Sequence, residues 1–424
     1  MSGLARFGIK PGLDRVRALL ESMGNPQRFY PSVHIAGTNG KGSTSTIISN
    51  VLSQANYRVG TFTSPHLHSY CERMTIDGAP ISLVKLADLL KKTVSGTERC
   101  IEMGFGAPTE FEVLTAAALQ YFKEEAVDIA VVEAGMGGIH DSTNVINPLV
   151  SVITNVRLDH QAYLGHTVDE IAMNKAGIAK PNVPLICGDS NPAVQNVVKV
   201  ETLARGGQYF SARDLIHLAN VQGIGIKGFV LDVKAGDVEY KSVRFALPGR
   251  FQLDNLAAAM AALRLLNESG FRVSKSDVNY GLEHVKWPGR LEVINEAPEV
   301  IVDAAHNPHG AENVGQALRD IYPERTRVMV VGIVDDKDAE GIIRFLADTT
   351  RLCIVTRPDG ERGKNWKRLK DIAQRYIKHV ETIEDIEDAV KAALGLVKER
   401  EYVLITGSFY TLDRARTMFT NPYR

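Results

Sequence analysis

A glycine-rich stretch that contains a lysine reads VHIAGTNGKGSTSTIISNVL and lies near the start of the 424-residue chain. The usual phosphate loop, G-x-x-x-x-G-K-[ST], has a hydroxyl directly after its lysine. Here Gly42 follows Lys41, and the hydroxyls come at Ser43 and Thr44. Backbone N–H groups of residues 38–43 could surround a phosphate, while Lys41 adds positive charge and Ser43 offers an oxygen to Mg²⁺. The position between a strand-like run and a helical pattern favours a phosphate site over a plain glycine-rich turn.

Other polar side chains follow apolar runs that read as buried strands. Ser64 follows GTFT, Glu133 ends the run IAVV, and His160 comes shortly after SVITN. A buried carboxylate is costly unless it is paired or metal-bound, although a cap or a salt bridge would also explain Glu133. His160 on its own could be a solvated loop histidine. Together with the phosphate loop, these oxygen and nitrogen donors predict a Mg²⁺ site: Ser43, Ser64, Glu133 and His160.

Lys175 lies in a segment with helical periodicity. Thr167 and Glu170 form the capping-box pattern at its start. Ile171, Lys175 and Ile178 recur at i, i+4 and i+7, so the lysine shares the apolar face of this helix. A lysine there must extend its ammonium group to solvent, pair with another group, or be chemically changed.

The composition is that of an ordinary globular protein, with 44% hydrophobic residues, 23% charged residues and a net charge of −1. This balance gives no reason to expect a nucleic acid or an anionic membrane as a partner. The four cysteines are scattered without a C-x-x-C pair and are typical of reduced thiols. Neither a signal-peptide pattern nor an apolar run of about 20 residues is evident, which predicts a cytoplasmic protein.

Short apolar runs alternate with helical patterns, which predicts parallel sheets covered by helices. Between about Tyr209 and Leu247 the residues alternate in polarity, which indicates a small antiparallel β insert. A turn-rich segment near residues 287–297 separates the strands into two sets. We therefore predict an N-terminal P-loop-type ATPase domain, 1–288, and a C-terminal Rossmann-like α/β domain, 289–424. Because ligands bind at the carboxyl ends of parallel strands, the polar residues there predict one cleft facing both domains.

An ordered set of motifs resembles the folylpolyglutamate synthase/dihydrofolate synthase family, a branch of the Mur ligase superfamily. These motifs extend from about residue 29 to 410 and read HIAGTNGKGST, FTSPHL, ERMTIDG, PTEFEVLTAAA, VVEAGMGG, DSTN, ITNVRLDHQAYLG, EIAMNKAGI, WPGRLE and VDAAHNPHG. The resemblance accounts for the glycine after Lys41, because G-T-N-G-K-G-[ST] is the phosphate loop of this family.

The resemblance implies a role for each matching residue. It implies a nucleotide site at Thr38, Asn39, Gly40, Lys41, Gly42, Ser43, Thr44, Asn255, Arg290, Asp303 and His306. The Mg²⁺ ligands, for two ions, would be Ser43, Ser64, Glu133 and His160, and the catalytic residues would be Lys41, Lys175 and His160. Lys175 matches a lysine that the family carries as a carbamate. Pterin contacts are assigned to Pro65, His66, Glu72 and Arg73.

The implied chemistry is an ATP-dependent amide ligation. A pterin-bearing carboxylate attacks the γ-phosphate of MgATP, and the amino group of L-glutamate then attacks the acyl phosphate. Lys41 and Mg²⁺ would stabilise the negative charge that builds on oxygen in both steps. The family implies a monomer, and the need to align two reactants predicts that the domains close during the reaction.

Two positions depart from the family pattern. Ile139, followed by His140, stands where many members have an arginine, and Ala304 replaces a glycine in VDAAHNP. These departures keep open a Mur-like ligase for a different acid and amine. A P-loop kinase or ATPase switch is a further alternative, although it would not need a second domain that carries Arg290, Asp303 and His306. A non-catalytic binding protein is disfavoured, because every expected phosphate and metal residue is present.

The motifs leave three properties of a folate ligase undetermined. They do not distinguish a dihydropteroate acceptor from a folate acceptor, so a dihydrofolate synthase, a folylpolyglutamate synthase and a bifunctional enzyme all fit them. They do not give the length of the polyglutamate chain. They also leave the effect of Ile139 and His140 on substrate choice open.

Overall fold

The computed structural model of this chain describes residues 12–420. Its strands are β1 (Ser32–Ala36), β2 (Val59–Phe62), β3 (Met74–Ile76), β4 (Ala79–Pro80), β5 (Ile129–Glu133), β6 (Val150–Ile153), β7 (Pro184–Cys187), β8 (Gln208–Ser211), β9 (Ile216–Gly223), β10 (Phe229–Ala235), β11 (Val238–Phe245), β12 (Glu292–Glu296), β13 (Glu299–Asp303), β14 (Arg327–Val331), β15 (Thr350–Val355), β16 (His379–Thr382) and β17 (Tyr402–Thr406).

Helices connect most of these strands. They are α1 (Asp14–Ser22), α2 (Lys41–Gln54), α3 (Leu83–Lys92), α4 (Val94–Glu102), α5 (Glu110–Glu124), α6 (Gln161–Leu164), α7 (Val168–Ala176), α8 (Pro192–Ala204), α9 (Ala212–Leu215), α10 (Phe251–Glu268), α11 (Lys275–Glu283), α12 (Pro308–Ile321), α13 (Ala339–Ala347), α14 (Arg368–Gln374), α15 (Ile386–Leu396) and α16 (Phe409–Thr417). Among the helices of residues 12–420, none combines the length and the apolar character that a membrane span requires.

The first sheet has eight strands in the order β4-β3-β2-β5-β1-β6-β7-β8. The six strands from β2 to β8 in this order pair in parallel, while β3 and β4 form an antiparallel hairpin at one edge. β1 and β5 are buried along their whole length, as expected for strands covered on both faces. The sheet also contains β8, which pairs with β7. The prediction that the insert begins at about Tyr209 is therefore wrong for this strand.

β1 lies at the position where the chain changes direction across this sheet. The strand that follows it, β2, lies on one side, and β6 lies directly on the other side. In open α/β sheets a crevice forms at such a switch point, beyond the carboxyl ends of the strands. The residues after β1, β5 and β6 therefore meet at one edge of the sheet.

Helix α7 packs against this sheet through the apolar face that its periodicity predicts. Ile171 and Ala172 are fully buried in a cluster that also contains Ile153 of β6 and Leu185 of β7. Thr167 begins the helix with the predicted capping box, since its side chain accepts from Glu170 N and Glu170 accepts from the Thr167 N–H. This packing presents the C-terminal turn of α7 to the loop after β1.

A small three-stranded sheet has the order β11-β10-β9. Connections of two and five residues join its neighbouring strands, and connections this short join antiparallel strands because parallel pairs need a long crossover. The predicted antiparallel insert is thus present.

The last sheet has six strands in the order β12-β13-β17-β14-β15-β16. Five of them are parallel, and β12 pairs antiparallel with β13 at one edge. Two edge strands, β12 and β16, were missed in the sequence because one lies in the turn-rich segment and the other is short and largely exposed. The predicted α/β class, with a P-loop-type sheet, a β insert and a Rossmann-like sheet, is confirmed.

The described chain divides into two structural units. The first extends to Val221 and adds Leu231–Arg244 and Leu253–Val285, and the second comprises Gln222–Val230, Phe245–Gln252 and the chain from Lys286 onward. The domain boundary between residues 288 and 289 stays a prediction, which limited proteolysis would test.

Candidate active site

The loop between β1 and α2 has the backbone that a phosphate cradle requires. Gly40 precedes the first residue of α2 and has φ 83°, a left-handed conformation that glycine adopts without strain. A Cβ on Gly40 would overlap the side-chain oxygen of Asn255, which is itself 95% buried. Asn255, predicted from α10, therefore lies directly against the loop. The N-terminus of α2 follows immediately, where an anion is favoured.

The side chains of the loop are arranged around this turn. The ammonium group of Lys41 donates to Gly37 O and Thr38 O, both at 3.2 Å. Ser43 and Thr44 are buried in the first turn of α2, and Thr44 Oγ1 has no hydrogen-bond partner among the described residues. A buried hydroxyl without a protein partner beside a glycine loop is suited to contact a ligand.

The segment after β6, residues 154–157, holds the loop by five hydrogen bonds. Thr38 N donates to Asn155 O at 2.8 Å and Asn39 N donates to Asn155 Oδ1 at 2.9 Å. Thr154 Oγ1 donates to Asn39 O at 2.6 Å. The Thr38 hydroxyl accepts from Arg157 N at 3.0 Å and donates to Arg157 O at 3.2 Å. Thr38 and Asn39, predicted as ATP contacts, thus also anchor the loop to the neighbouring strand.

Lys175 points inward rather than to solvent. Only 3% of the residue is exposed, and its Nζ donates to Gly37 O at 2.7 Å. Burial and, to a smaller extent, the nearby Lys41 charge lower the pKa of Lys175 to about 7, against the opposing effects of Asp159 and Asp141. The amine therefore lies at the phosphate loop and is largely neutral just above neutral pH.

Two of the predicted metal ligands lie together at the ends of neighbouring strands. Glu133, at the end of β5, is 97% buried, and Ser64 N donates to its Oε2 at 3.4 Å. Ser64 precedes Pro65 through a cis peptide bond. His160 directly precedes α6 and has φ 50°, and its Nε2 lies 3.9 Å from Asp159 Oδ1. It is much less buried than Glu133. Its side chain is 42% exposed, so it is accessible to a ligand.

The turn after β5 packs against the end of α7. Gly138 N donates to Asn174 Oδ1 and Ile139 N donates to Asn174 O, both at 3.0 Å. Asp141, buried in the same turn, accepts from Met136 N at 2.8 Å and from the Thr143 N–H and hydroxyl. Burial raises the pKa of Asp141. Asn174 and Asp141 were not among the predicted residues, although both lie in motifs that carry the resemblance.

The predicted pterin residues form a group after β2. Arg73 Nε donates to His66 Nδ1 at 2.9 Å, and its guanidinium lies 5.2 Å from the centre of the Tyr70 ring. The Tyr70 hydroxyl in turn donates to Glu110 Oε1 at 2.8 Å. Tyr70 and Glu110 were not predicted, because neither spacing nor residue type distinguishes them.

Glu72 has a structural role in this loop. Its carboxylate accepts from the N–H groups of Leu67, His68 and Ser69 at 2.7–2.9 Å. Its contact with a substrate stays a prediction.

The second unit brings the other predicted nucleotide residues together. Asp303, at the end of β13, is 98% buried and accepts from Leu291 N at 2.9 Å. Burial raises the pKa of Asp303 to about 6, against the effect of the Arg290 charge. The Arg290 guanidinium and the His306 ring lie 5.2 Å and 5.9 Å from the ring of Phe409, which begins α16. Phe409 was not predicted, since a single aromatic residue carries no sequence signal.

The donor set suits magnesium more than a transition metal. Within residues 12–420, no three His, Cys, Asp or Glu side chains are arranged to hold a metal ion. The predicted ligands include two hydroxyls and one carboxylate, and Mg²⁺ prefers oxygen ligands and usually keeps waters and substrate phosphates.

Two family patterns cover most of the chain. The Mur ligase middle domain matches residues 35–263, and the Mur ligase glutamate ligase domain matches residues 289–409. The first contains the phosphate loop, Glu133, Lys175 and Asn255, and the second contains Asp303 and Phe409.

Individual proteins resemble the chain over nearly its full length. The dihydrofolate synthase/folylpolyglutamate synthase of Bacillus subtilis is 34% identical over 98% of this chain and 96% of that relative. The structure of Mycobacterium tuberculosis folylpolyglutamate synthase complexed with ADP has a TM-score of 0.92 at 34% identity, covering 99% and 97% of the two chains. A bifunctional folylpolyglutamate synthase/dihydrofolate synthase with Mn, AMPPNP and L-glutamate bound has a TM-score of 0.85 at 27% identity, covering 98% and 96%. The chain belongs to the Mur ligase family, in its folylpolyglutamate synthase/dihydrofolate synthase branch.

Proposed function

We propose that this protein joins L-glutamate to a pterin-bearing carboxylic acid, dihydropteroate or a folate, at the expense of ATP. Its family consists of ATP-dependent glutamate ligases. The observation that carries the proposal is the buried Lys175 amine, which donates to Gly37 O of the phosphate loop at 2.7 Å. A plain nucleotide-binding turn has no need for a buried lysine at this position.

The nucleotide contacts follow from the loop. Its N–H groups and the start of α2 would bind the phosphates, and Lys41 would exchange its contacts with Gly37 O and Thr38 O for phosphate oxygens. Asn255 lies against Gly40 and is proposed to contact the same ligand. Arg290, Asp303 and His306 are proposed as further nucleotide contacts, in line with the ADP bound by the Mycobacterium relative.

Mg²⁺ would be held by Ser43, Ser64, Glu133 and His160. The buried carboxylate of Glu133 beside Ser64 fits this ion, because Mg²⁺ prefers oxygen ligands. When bound, Mg²⁺ neutralises phosphate charge and supports its transfer to the acid. That two ions bind is part of the proposal.

We further propose that Lys175 carries CO₂ as a carbamate. Only a neutral amine reacts with CO₂, and the burial that lowers the pKa of Lys175 to about 7 makes the neutral form available. The carbamate would place an anion beside the loop, next to the Lys41 charge. His66 and Arg73, with Pro65 and Glu72, are proposed to line the pterin site.

The order of events is then set by the chemistry of the two substrates. The pterin carboxylate takes the γ-phosphate to give an acyl phosphate and ADP. The glutamate amine attacks the acyl carbon, an amide forms, and phosphate leaves. L-glutamate is among the ligands bound to one of the related structures.

We also propose that the protein is cytoplasmic. All four cysteines, at positions 71, 100, 187 and 353, are free. Free, mostly buried thiols agree with the predicted cytoplasmic location. We propose a monomer, and light scattering coupled to gel filtration would test it.

The test is phosphate release from MgATP by the purified protein, with dihydropteroate or tetrahydrofolate as the acid. We expect release only when the acid and L-glutamate are both present, and the preferred acid would identify the branch. Lys175→Ala should abolish release while the variant stays folded. If the protein binds MgATP tightly but no pterin acid gives glutamate-dependent phosphate release, a ligase for a different acid and amine would be indicated instead.

A further inference from the structure

The carboxylate of Asp189 lies after β7, two strands away from β1, and is completely inaccessible to solvent. Among the described residues, its hydrogen-bond partners do not include those assigned to substrates above. A buried carboxylate requires hydrogen-bond donors. The donors to Asp189 show which segments of the chain it holds in place.

Within residues 12–420, the Asp189 carboxylate accepts three hydrogen bonds. Val156 N and Arg157 Nη1 both donate to Asp189 Oδ2 at 2.7 Å. Asn191 N donates to Asp189 Oδ1 at 2.8 Å, in a turn that leads into α8. Two of the three donors therefore belong to the segment that follows β6.

This segment is the one that anchors the phosphate loop. Arg157 N and Arg157 O both bond the Thr38 hydroxyl, and Asn155 bonds the N–H groups of Thr38 and Asn39. The Asp189 carboxylate thus bonds the side chain of Arg157, whose backbone bonds Thr38, and the N–H of Val156, which lies between Asn155 and Arg157. The same segment continues into Asp159 and His160.

We propose that Asp189 is a positioning residue for the phosphate loop. Its charge fixes Val156 and Arg157, Arg157 fixes Thr38, and Thr38 sets the backbone from which the loop N–H groups point. Since phosphate binding by N–H groups depends on their common direction, loss of this support disorders the cradle without removing any group that touches the ligand. The inference rests on the proposed nucleotide role of the loop.

The first experiment measures MgADP binding to the full chain by titration calorimetry. Asp189→Asn keeps the size of the side chain but removes its charge, so the ion pair with Arg157 is lost. Its single acceptor oxygen also cannot serve Asn191 N–H together with Val156 N–H and Arg157 Nη1, because these donors bond different carboxylate oxygens. We expect MgADP binding to weaken about tenfold, because Arg157, which bonds Thr38, loses its charge-assisted hydrogen bond. Glu112→Gln is the matched control, since Glu112 is also a buried carboxylate paired with an arginine, Arg15, in the same unit. It should lower the melting temperature and leave MgADP binding unchanged.

A double-mutant cycle tests the path of the effect. If Asp189 acts through Thr38, then Asp189→Asn should weaken MgADP binding far less in a Thr38→Val background than in the wild type. Equal losses in both backgrounds would overturn the proposal. So would a lower melting temperature for Asp189→Asn with wild-type MgADP affinity, which would make the residue merely structural.

The readout separates this inference from the proposed ligase activity. A protein that binds MgADP but forms no pterin glutamate would contradict the proposed function and leave the role of Asp189 intact. A wild-type protein that binds no MgADP would overturn both.

Discussion

At the residue scale, the amine of Lys175 has unusual surroundings for a lysine. It is 97% buried, it donates to a backbone carbonyl, and burial together with the Lys41 charge lowers its pKa to about 7. Burial makes the neutral amine, the form that reacts with CO₂, available near neutral pH, and the neighbouring Lys41 charge favours an anion over an ammonium ion at this position. The prediction of a carbamate follows from this environment as well as from the resemblance.

We expect a carbamate signal in a ¹³C NMR spectrum of the protein supplied with ¹³C-bicarbonate. The signal should grow between pH 6 and pH 8, because the neutral amine becomes the main form as the pH rises through about 7. Lys175→Arg cannot form a carbamate and should lack the signal. A spectrum of Lys175→Arg identical to that of the wild type would assign the carbamate to another group.

Gly40 is the second residue whose environment allows a sharp prediction. Gly40→Ala should weaken MgATP binding about tenfold, since the left-handed conformation costs a side chain about 1–2 kcal/mol and Asn255 must move as well. Fluorescence titration with an ATP analogue measures the change. Gly78→Ala is the control, because Gly78 has φ 81° but nothing within 4 Å of the added Cβ. If the two variants bind the ATP analogue with the same affinity, the contact between residue 40 and Asn255 does not affect nucleotide binding.

At the element scale, α7 and the loop after β1 are in direct contact through Lys175. The helix packs on β6 and β7 through Ile171 and Ala172, and its end carries Asn174 and Lys175 to the turn after β5 and to the phosphate loop. The start of the helix is fixed by the Thr167–Glu170 capping box. The position of Lys175 therefore depends on both ends of a nine-residue helix.

Removal of the α7 cap should affect stability and turnover together. Thr167→Ala should cost about 1 kcal/mol in urea unfolding, because the N–H of Glu170 loses its acceptor. Ser274→Ala removes the equivalent capping box of α11 and should cost a similar amount. Only Thr167→Ala should also lower kcat, as α11 carries none of the proposed catalytic residues. Equal kcat values for the two variants would show that α7 holds Lys175 without its cap.

At the scale of the whole molecule, buried titratable groups make the free energy of unfolding depend on pH. His34 is fully buried in β1, with Nε2 2.8 Å from Thr143 Oγ1 and no hydrogen-bond partner for Nδ1 among residues 12–420. Burial, with a smaller effect of the Lys180 charge, lowers the pKa of His34 to about 3.

This histidine should make the fold sensitive to acid. Between pH 6.5 and pH 3 the unfolded chain binds a proton at His34 that the folded chain does not, so the free energy of unfolding falls as the pH falls. His34→Gln should flatten this dependence in urea unfolding curves recorded at several pH values. His284→Gln, at an exposed histidine, should leave the slope as in the wild type. A steep slope retained by His34→Gln would assign acid sensitivity to other groups.

The fold was predicted well where the sequence pattern is local and strong. The buried strands β1, β5, β6 and β14 and the helices α2, α5 and α7 correspond to apolar runs and to helical periodicity. The edge strand β16, HVET, was missed because an exposed strand has little apolar content, and β8 was placed in the wrong sheet because its pairing with β7 is not a local property.

The sequence by itself determined the phosphate loop, the α/β class and the family, because each depends on residues close together along the chain or on motifs in a specific order. Only the tertiary structure decided that Lys175 bonds Gly37, that Asn255 lies against Gly40, and that Asp189 supports the segment beneath Thr38. These partners are many residues apart along the chain. Asp189 reaches the segment beneath Thr38 because β7, β6 and β1 are successive neighbours in the sheet, whereas Lys175 and Asn255 are brought to the loop by the helices α7 and α10. The order of strands in a sheet follows from the packing of the whole unit, and no local pattern of residue types records it.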